Sequence, residues 1–138
     1  MKKVFSLLLA ALLLLSSTFP VNAVAPEQSI TAVQPRWTYL HTITAFIDIN
    51  FLGVATCEGT AVSRVVKDVK VVVRLQQETD TGWSTLKTWT DTGAGSAVAS
   101  GSYAVARGYT YRTVSSVYVY DDNGNIIETG SASDTFYY

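Results

Sequence analysis

The sequence contains one cysteine and one histidine among its 138 residues, and only 15% of its side chains are charged. A single cysteine excludes an intrachain disulfide, so we expect a hydrophobic core to hold the fold together. One histidine and one cysteine are too few for a structural zinc site. The sequence also lacks a Gly-x-Ser-x-Gly nucleophile motif. We therefore predict a non-enzymatic protein with no catalytic residues, no metal and no cofactor.

Long hydrophobic runs are confined to the N-terminus. Lys2 and Lys3 precede an apolar run from Val4 to Leu15, and a polar stretch follows that ends in a small-residue cleavage site, Val21-Asn22-Ala23. This pattern predicts a signal peptide over residues 1–23 and a secreted, extracellular protein. Residues 24–35, which end in a proline, are predicted to be a disordered leader, and residues 36–138 the folded domain. No later run is long enough for a membrane span, and Cys57 lies too far downstream to carry a lipid anchor.

Basic side chains are few and scattered. Without Lys2 and Lys3, acidic residues outnumber basic ones by three. The basic residues between Arg64 and Arg74 are interrupted by Asp68, so they form no continuous positive stretch. Binding to nucleic acid or to anionic lipid is therefore disfavoured.

From Trp37 onward the hydrophobic pattern has a period of two, which is typical of half-buried β-strands. Clusters of glycine, asparagine and aspartate divide the chain into seven such segments. This arrangement predicts an all-β domain, a single antiparallel β-sandwich of immunoglobulin or fibronectin type III kind, with a small barrel as the alternative. The predicted strands are residues 37–50, 54–62, 68–76, 83–90, 96–106, 109–120 and 126 to at least 131.

Alternation also predicts which side of a strand individual residues occupy. Cys57 is out of phase with Thr56 and Glu58, so we expect a buried thiol rather than a reactive one. His41 falls in phase with the apolar positions of the first strand, which predicts a half-buried structural histidine. Tyr111, near the start of the sixth strand, is the candidate for the tyrosine that hydrogen-bonds the preceding corner in such sandwiches, with Tyr109 second.

Several short motifs occur together along the chain: Arg36-Trp37, Cys57-x-Gly59, Gly82-Trp83 through Trp89, Gly108 to Arg112 and Gly124 to Thr129. This combination resembles a family of small, secreted, uncharacterised all-β proteins of Gram-positive spore-forming bacteria. The resemblance implies an exported protein with one immunoglobulin- or fibronectin-like domain. It implies no activity and no site residues.

The segment Asp121 to Asn125 contains an Asn-Gly pair, which is a strong hairpin signal because both residues tolerate positive φ. Its oxygen-bearing side chains are also of the type that calcium prefers. The spacing lacks the distal glutamate of a helical calcium loop. Turn formation accounts for these residues, and whether the loop binds calcium stays open.

Aromatic residues provide the remaining functional signal. Trp83 and Trp89 are six residues apart and so share a face of a regular strand, while Tyr118 and Tyr120 are out of phase with Tyr111 and are expected to point outward. An exposed aromatic face stacks on sugar rings or anchors a protein. The hypothesis is therefore a secreted protein that binds a glycan or a protein partner at the cell envelope or outside the cell, through these four residues. The alternatives are that the aromatic residues belong to the core, and that the protein is an antimicrobial or toxin-like one.

Overall fold

The structure, a computed structural model, describes residues 36–138, and all regular structure in that part of the chain is β-strand. The predicted signal peptide and leader lie outside the described residues. Over residues 36–138 there is no helix with the length and apolarity to cross a membrane. The strands are β1 (Leu40–Ile49), β2 (Val54–Ser63), β3 (Asp68–Thr79), β4 (Gly82–Ala94), β5 (Ser96–Ala104), β6 (Thr110–Tyr120) and β7 (Ile126–Tyr137).

The seven strands form two antiparallel sheets that pack face to face. One sheet has the order β1-β2-β5 and the other the order β4-β3-β6-β7. Hairpins join β1 to β2, β3 to β4 and β6 to β7, while the remaining connections cross from one sheet to the other. The predicted seven-stranded antiparallel β-sandwich is thus confirmed, and the barrel alternative is wrong because the strands separate into two sheets.

The core combines small side chains from one sheet with large ones from the other. The inner faces of β2 and β5 carry alanine, cysteine and glycine, whereas β3 and β6 carry valine, leucine and tyrosine. Branched residues fit the pleated surface of a strand, and small residues opposite them let the sheets approach closely. The fully or almost fully buried apolar residues on these strands are Ala55, Cys57, Ala61, Val69, Val71, Val73, Leu75, Ala97, Ala99, Tyr111, Val117 and Val119.

Cys57 is fully buried in this core, as the alternation predicts. The adjacent inner position of β2 is Gly59, where an added Cβ would lie 2.6 Å from Oγ of Ser115. Ser115 and Thr113 are buried hydroxyl residues of β6 without hydrogen-bond partners among the described residues. Burial raises the pKa of the Cys57 thiol. The thiol is therefore neutral and inaccessible in the folded protein.

Stability is expected to fall as the pH rises above about 8.5, the pKa of an exposed thiol. The folded-state pKa of Cys57 is raised, so the unfolded chain releases its thiol proton at a lower pH than the folded protein does. This ionisation lowers the free energy of the unfolded state relative to the folded state. One proton gives a slope of at most about 1.4 kcal/mol per pH unit. Urea unfolding between pH 7 and 9.5 measures this slope. In Cys57→Ala the slope should be flatter, and parallel curves for the two proteins would contradict the assignment.

Tyr111 closes one corner of the sandwich. Its ring is fully buried, and its hydroxyl donates a 2.8 Å hydrogen bond to the carbonyl oxygen of Ala106, in the connection between β5 and β6. Tyr109 packs edge-on against the ring, with centroids 6.4 Å apart. Burial raises the pKa of Tyr111, so the hydroxyl keeps its donor proton. The predicted corner tyrosine is confirmed as Tyr111 rather than Tyr109.

The predicted position of His41 is wrong. The pairing of β1 with β2 shifts register between Leu40 and Thr42, and this irregularity reverses the alternation at the start of the strand. Leu40 is fully buried, while His41 is exposed. The rest of β1 follows the predicted phase, and Ile47 and Ile49 face the core.

Glu128 seals the open side of the sandwich between β7 and β1. It pairs in register with buried Val119, which directs its side chain inward. Its carboxylate accepts hydrogen bonds from the backbone N–H groups of Thr38, Tyr39 and Leu40, at 2.6, 2.9 and 2.6 Å. These donors lie at and just before the start of β1, beside its register irregularity.

Two further acids act in the same way at the sandwich edges. Asp134 of β7 accepts the N–H of Ile47 in β1 at 3.1 Å. On the opposite side, Asp91 of β4 accepts the N–H of Val98 in β5 at 3.2 Å. Carboxylates that point inward from one sheet therefore cap backbone donors on the edge strands of the other, which also hinders pairing with other chains.

Candidate functional site

The two tryptophans of β4 do not share a face, contrary to the prediction. Leu75 of β3 pairs with Lys87 but the next residue, Gln76, pairs with Thr85, so Leu86 is an additional residue in β4. This bulge reverses the alternation between Trp83 and Trp89. The four predicted aromatic residues are therefore divided between the inside and the outside of the sandwich.

Trp89 points inward. It pairs in register with buried Val73 and packs against the core. Its indole lies across Gly101 of β5, and a Cβ at Gly101 would overlap the indole nitrogen. Trp89 is thus a core residue, as the alternative interpretation of the tryptophans had it, and it does not belong to a binding face.

Trp83 points outward, on the face of the four-stranded sheet that is turned away from the core. It pairs with exposed Glu78, and its ring leans across β3 to meet the Arg112 guanidinium of β6, 4.1 Å from the ring centroid. Arg112 Nε donates to Gln76 Oε1 at 2.8 Å, and Gln76 Nε2 donates to Thr85 Oγ1 at 3.0 Å. This cation–π contact and hydrogen-bond chain fix the orientation of the indole.

Tyr118 and Tyr120 lie on the same outer face, as predicted, but at its opposite end. They pair in register with Lys70 and Asp68 of β3, whereas Trp83 pairs with Glu78. Eight residues of an extended strand separate Lys70 from Glu78, a distance of about 27 Å. The predicted aromatic residues therefore form no continuous platform.

A groove opens beside Trp83, where β3, β6 and β7 reach the same end of the sandwich. We call it the end groove. It has a volume of about 520 Å³, within the range of small-ligand sites. Its lining comes from the end of β3 and the following turn, from the connection before β6, and from the end of β7. The lining residues are Gln77, Glu78, Thr79, Asp80, Gly108, Tyr109, Thr110 and Tyr137.

The end groove combines exposed tyrosine rings with carboxylates. Tyr137 is 72% exposed and Tyr109 is 45% exposed, which leaves ring surface open to a ligand. Glu78 and Asp80 are exposed, and over residues 36–138 neither carboxylate takes part in a side-chain hydrogen bond or an ion pair. Glu78 also links the groove to the outer face, because it pairs across the strands with Trp83. The groove thus offers two aromatic faces and two acidic acceptors.

A second groove of about 630 Å³ lies along β6 and β7 next to Tyr118. Trp37 and Tyr118 contribute its aromatic rings, and both are only partly exposed. Its carboxylate, Glu128, already accepts three backbone hydrogen bonds. The end groove therefore has more aromatic surface and more acceptor capacity available for a ligand.

In the turn between β6 and β7, the side-chain oxygens of Asp121 accept hydrogen bonds from within the turn itself. Asp121 Oδ1 accepts the backbone N–H groups of Asn123 and Asn125, and the Asn125 side chain donates to both carboxylate oxygens. These hydrogen bonds lower the pKa of Asp121. Asp122 forms a 2.8 Å ion pair with Lys67. Across residues 36–138 there is no group of three or more His, Cys, Asp or Glu side chains placed to hold a metal ion.

Sequence reasoning missed the residues that line the end groove. The signal available was the cluster of aromatic residues at the C-terminus and the Gly108-Tyr109 pair after the fifth strand. These segments are far apart in the chain, and only the pairing of β6 with both β3 and β7 brings them together. Of the predicted site residues, the structure places Trp83 alone beside this groove.

Comparison with known proteins provides no independent assignment. The geometry of the outer face and of the end groove is therefore the basis for a functional interpretation. No model of a known protein family matches the chain, and no curated protein is significantly similar to it.

Proposed function

We propose that this protein is a secreted, non-enzymatic binding module that holds a glycan in the end groove, with Trp83 extending the contact surface along the outer face. The observation that carries the proposal is the combination of exposed Tyr109 and Tyr137 rings with polar groups in one groove. Tyrosine and tryptophan rings stack on the apolar faces of sugars, and carboxylate and hydroxyl groups accept or donate hydrogen bonds to their hydroxyls.

The composition of the outer face favours a glycan over a protein partner. Its edge strands expose rows of hydroxyl residues: Thr85, Thr88, Thr90 and Thr92 on β4, and Thr129, Ser131, Ser133 and Thr135 on β7. Its large exposed apolar residues are Tyr137 and Ile126, at opposite ends. A protein interface has a contiguous apolar centre, whereas a sugar chain binds isolated rings among polar groups.

The fold type and the localisation belong to the same proposal. Strand order β1-β2-β5 against β4-β3-β6-β7, together with the Tyr111 corner, supports a sandwich of immunoglobulin or fibronectin type III kind. The charged and apolar pattern of residues 1–23 supports export. An exported module would meet glycans at the cell envelope or outside the cell.

Removing an exposed tyrosine ring should weaken glycan binding without unfolding the protein. We expect Tyr137→Ala to lower the affinity for a bound tetrasaccharide roughly tenfold, and Trp83→Ala to lower it less, because Trp83 only borders the groove. Isothermal titration calorimetry with β-1,4-linked glucose, glucosamine and N-acetylglucosamine tetrasaccharides measures this. Thermal unfolding of each variant, expected to change little, separates binding from stability.

Tyr118→Ala and Tyr120→Ala provide matched controls, because these rings lie on the same face but far from the end groove. Both variants should bind as the unsubstituted protein does. Loss of binding in Tyr118→Ala with retention in Tyr137→Ala would move the site to the second groove. A protein that binds none of the tetrasaccharides would contradict the proposed function.

A further inference from the structure

We propose that the end groove selects a glycan carrying a protonated amino group, so that its ligand is a de-N-acetylated amino sugar rather than a neutral or N-acetylated one. This inference rests on the proposed function. The chemical group that distinguishes one glycan from another in this groove is the amine. Three features point to it: the carboxylates, the tyrosine rings, and arginines that contact neutral groups instead of these carboxylates.

The groove has two carboxylates that face solvent without a cationic partner. Glu78 and Asp80 line it together, and neither forms an ion pair among residues 36–138. They are two residues apart, at the end of β3 and in the first position of its turn. A ligand amine that enters between them replaces like-charge repulsion with two attractive contacts.

The arginines at this end of the sandwich form no ion pair with these carboxylates among residues 36–138. Arg107 donates to the carbonyl oxygen of Phe51 at 2.9 Å and to the Tyr138 hydroxyl at 3.0 Å, and its guanidinium lies 5.1 Å from the Tyr138 ring centroid. Arg112 is engaged with Gln76 and with the Trp83 ring. Each guanidinium is thus held by neutral partners, and both carboxylates stay free to pair with a ligand cation.

The tyrosine rings favour the same class of ligand. Tyr109 and Tyr137 line the groove, and the π face of a tyrosine attracts a cation as well as the apolar face of a sugar ring. A neutral sugar gains only the stacking contribution. An amino sugar gains both, with its amine directed toward Glu78 and Asp80.

The experiment compares β-1,4-linked glucosamine tetrasaccharide with its fully N-acetylated counterpart by calorimetry at neutral pH. We expect the glucosamine form to bind roughly fivefold more tightly, because exposed charge contacts are individually weak, and the preference to shrink at high salt. The double variant Glu78→Gln with Asp80→Asn should lose the preference, because it weakens binding of the glucosamine form more than binding of the acetylated form. Asp48→Asn with Glu58→Gln changes the net charge equally at exposed positions of the other sheet and should keep the preference.

Each outcome has a distinct meaning. If both tetrasaccharides bind equally well, the amino-group inference is overturned and the glycan-binding function stands. If neither binds, both proposals fail. If the control double variant also loses the preference, the attraction comes from overall charge and not from the groove. Tetralysine is the final probe: binding that matches glucosamine tetrasaccharide and depends equally on Tyr137 would show that the groove takes cationic peptides, and would overturn the sugar assignment.

Discussion

Glu128→Ala is expected to lower the free energy of unfolding by about 3 kcal/mol. The substitution removes the acceptor of three backbone N–H groups, and those of Tyr39 and Leu40 are partly buried, where water replaces the carboxylate poorly. Each buried donor left without a partner costs about 1–3 kcal/mol. Urea unfolding followed by tryptophan fluorescence measures the loss, and amide hydrogen exchange at Leu40 should accelerate beyond the change in global stability.

Two variants make this expectation specific. Glu128→Gln keeps one oxygen acceptor and should cost roughly half as much as the alanine substitution. Glu58→Ala removes an exposed carboxylate that makes no side-chain hydrogen bond to any other described residue, and should change stability by less than about 0.5 kcal/mol. Equal effects for Glu128→Ala and Glu58→Ala would show that the seal between β7 and β1 contributes nothing to stability.

The strands were predictable because their signals are local. Alternating valines mark β3, and glycines with positive φ, such as Gly53 and Gly124, lie at turns where the sequence predicts them. The burial of Cys57 and the corner contact of Tyr111 follow from the same alternation. Phase within an uninterrupted strand therefore identified inward-facing residues correctly.

Errors in orientation arose where a strand is irregular. The additional residue in β4 and the register shift at the start of β1 each reverse the alternation, so Trp89 turns inward and His41 turns outward. Neither irregularity has a glycine at the irregular position itself, and both are visible only in the pairing with the neighbouring strand. A pattern of period two carries no information about where such an extra residue lies.

The end groove and the carboxylate seals depend on contacts between segments far apart in the chain. Glu128 reaches the backbone of Leu40 across the two sheets, and Asp80 meets Tyr137 in one groove because β3 and β7 flank β6. The sequence contains several comparable acids, such as Asp48 and Glu58, with nothing local to distinguish them. Only the order of strands in the sheets selects which acids point inward and which line a groove.

The Trp89 indole packs directly against Gly101 and leaves no room for a side chain there. We therefore expect the effects of substitutions at these two positions on stability to be strongly coupled. Trp89→Ala should lower the free energy of unfolding by about 3 kcal/mol, since it removes a large side chain packed against the core. Gly101→Ala should cost about 1–3 kcal/mol, because the added methyl group overlaps the indole and displaces it.

In the Trp89→Ala background the effect of Gly101→Ala should disappear or change sign. The backbone at Gly101 has no positive φ, so alanine is compatible with the strand and reduces the entropy of the unfolded chain by up to about 1 kcal/mol. A double-mutant cycle measured by urea unfolding gives the coupling directly. Additive effects would mean that the indole does not occupy the position over Gly101. The face assignment of β4 would then have to be revised, and with it the separation of a core tryptophan at position 89 from a solvent-facing one at position 83.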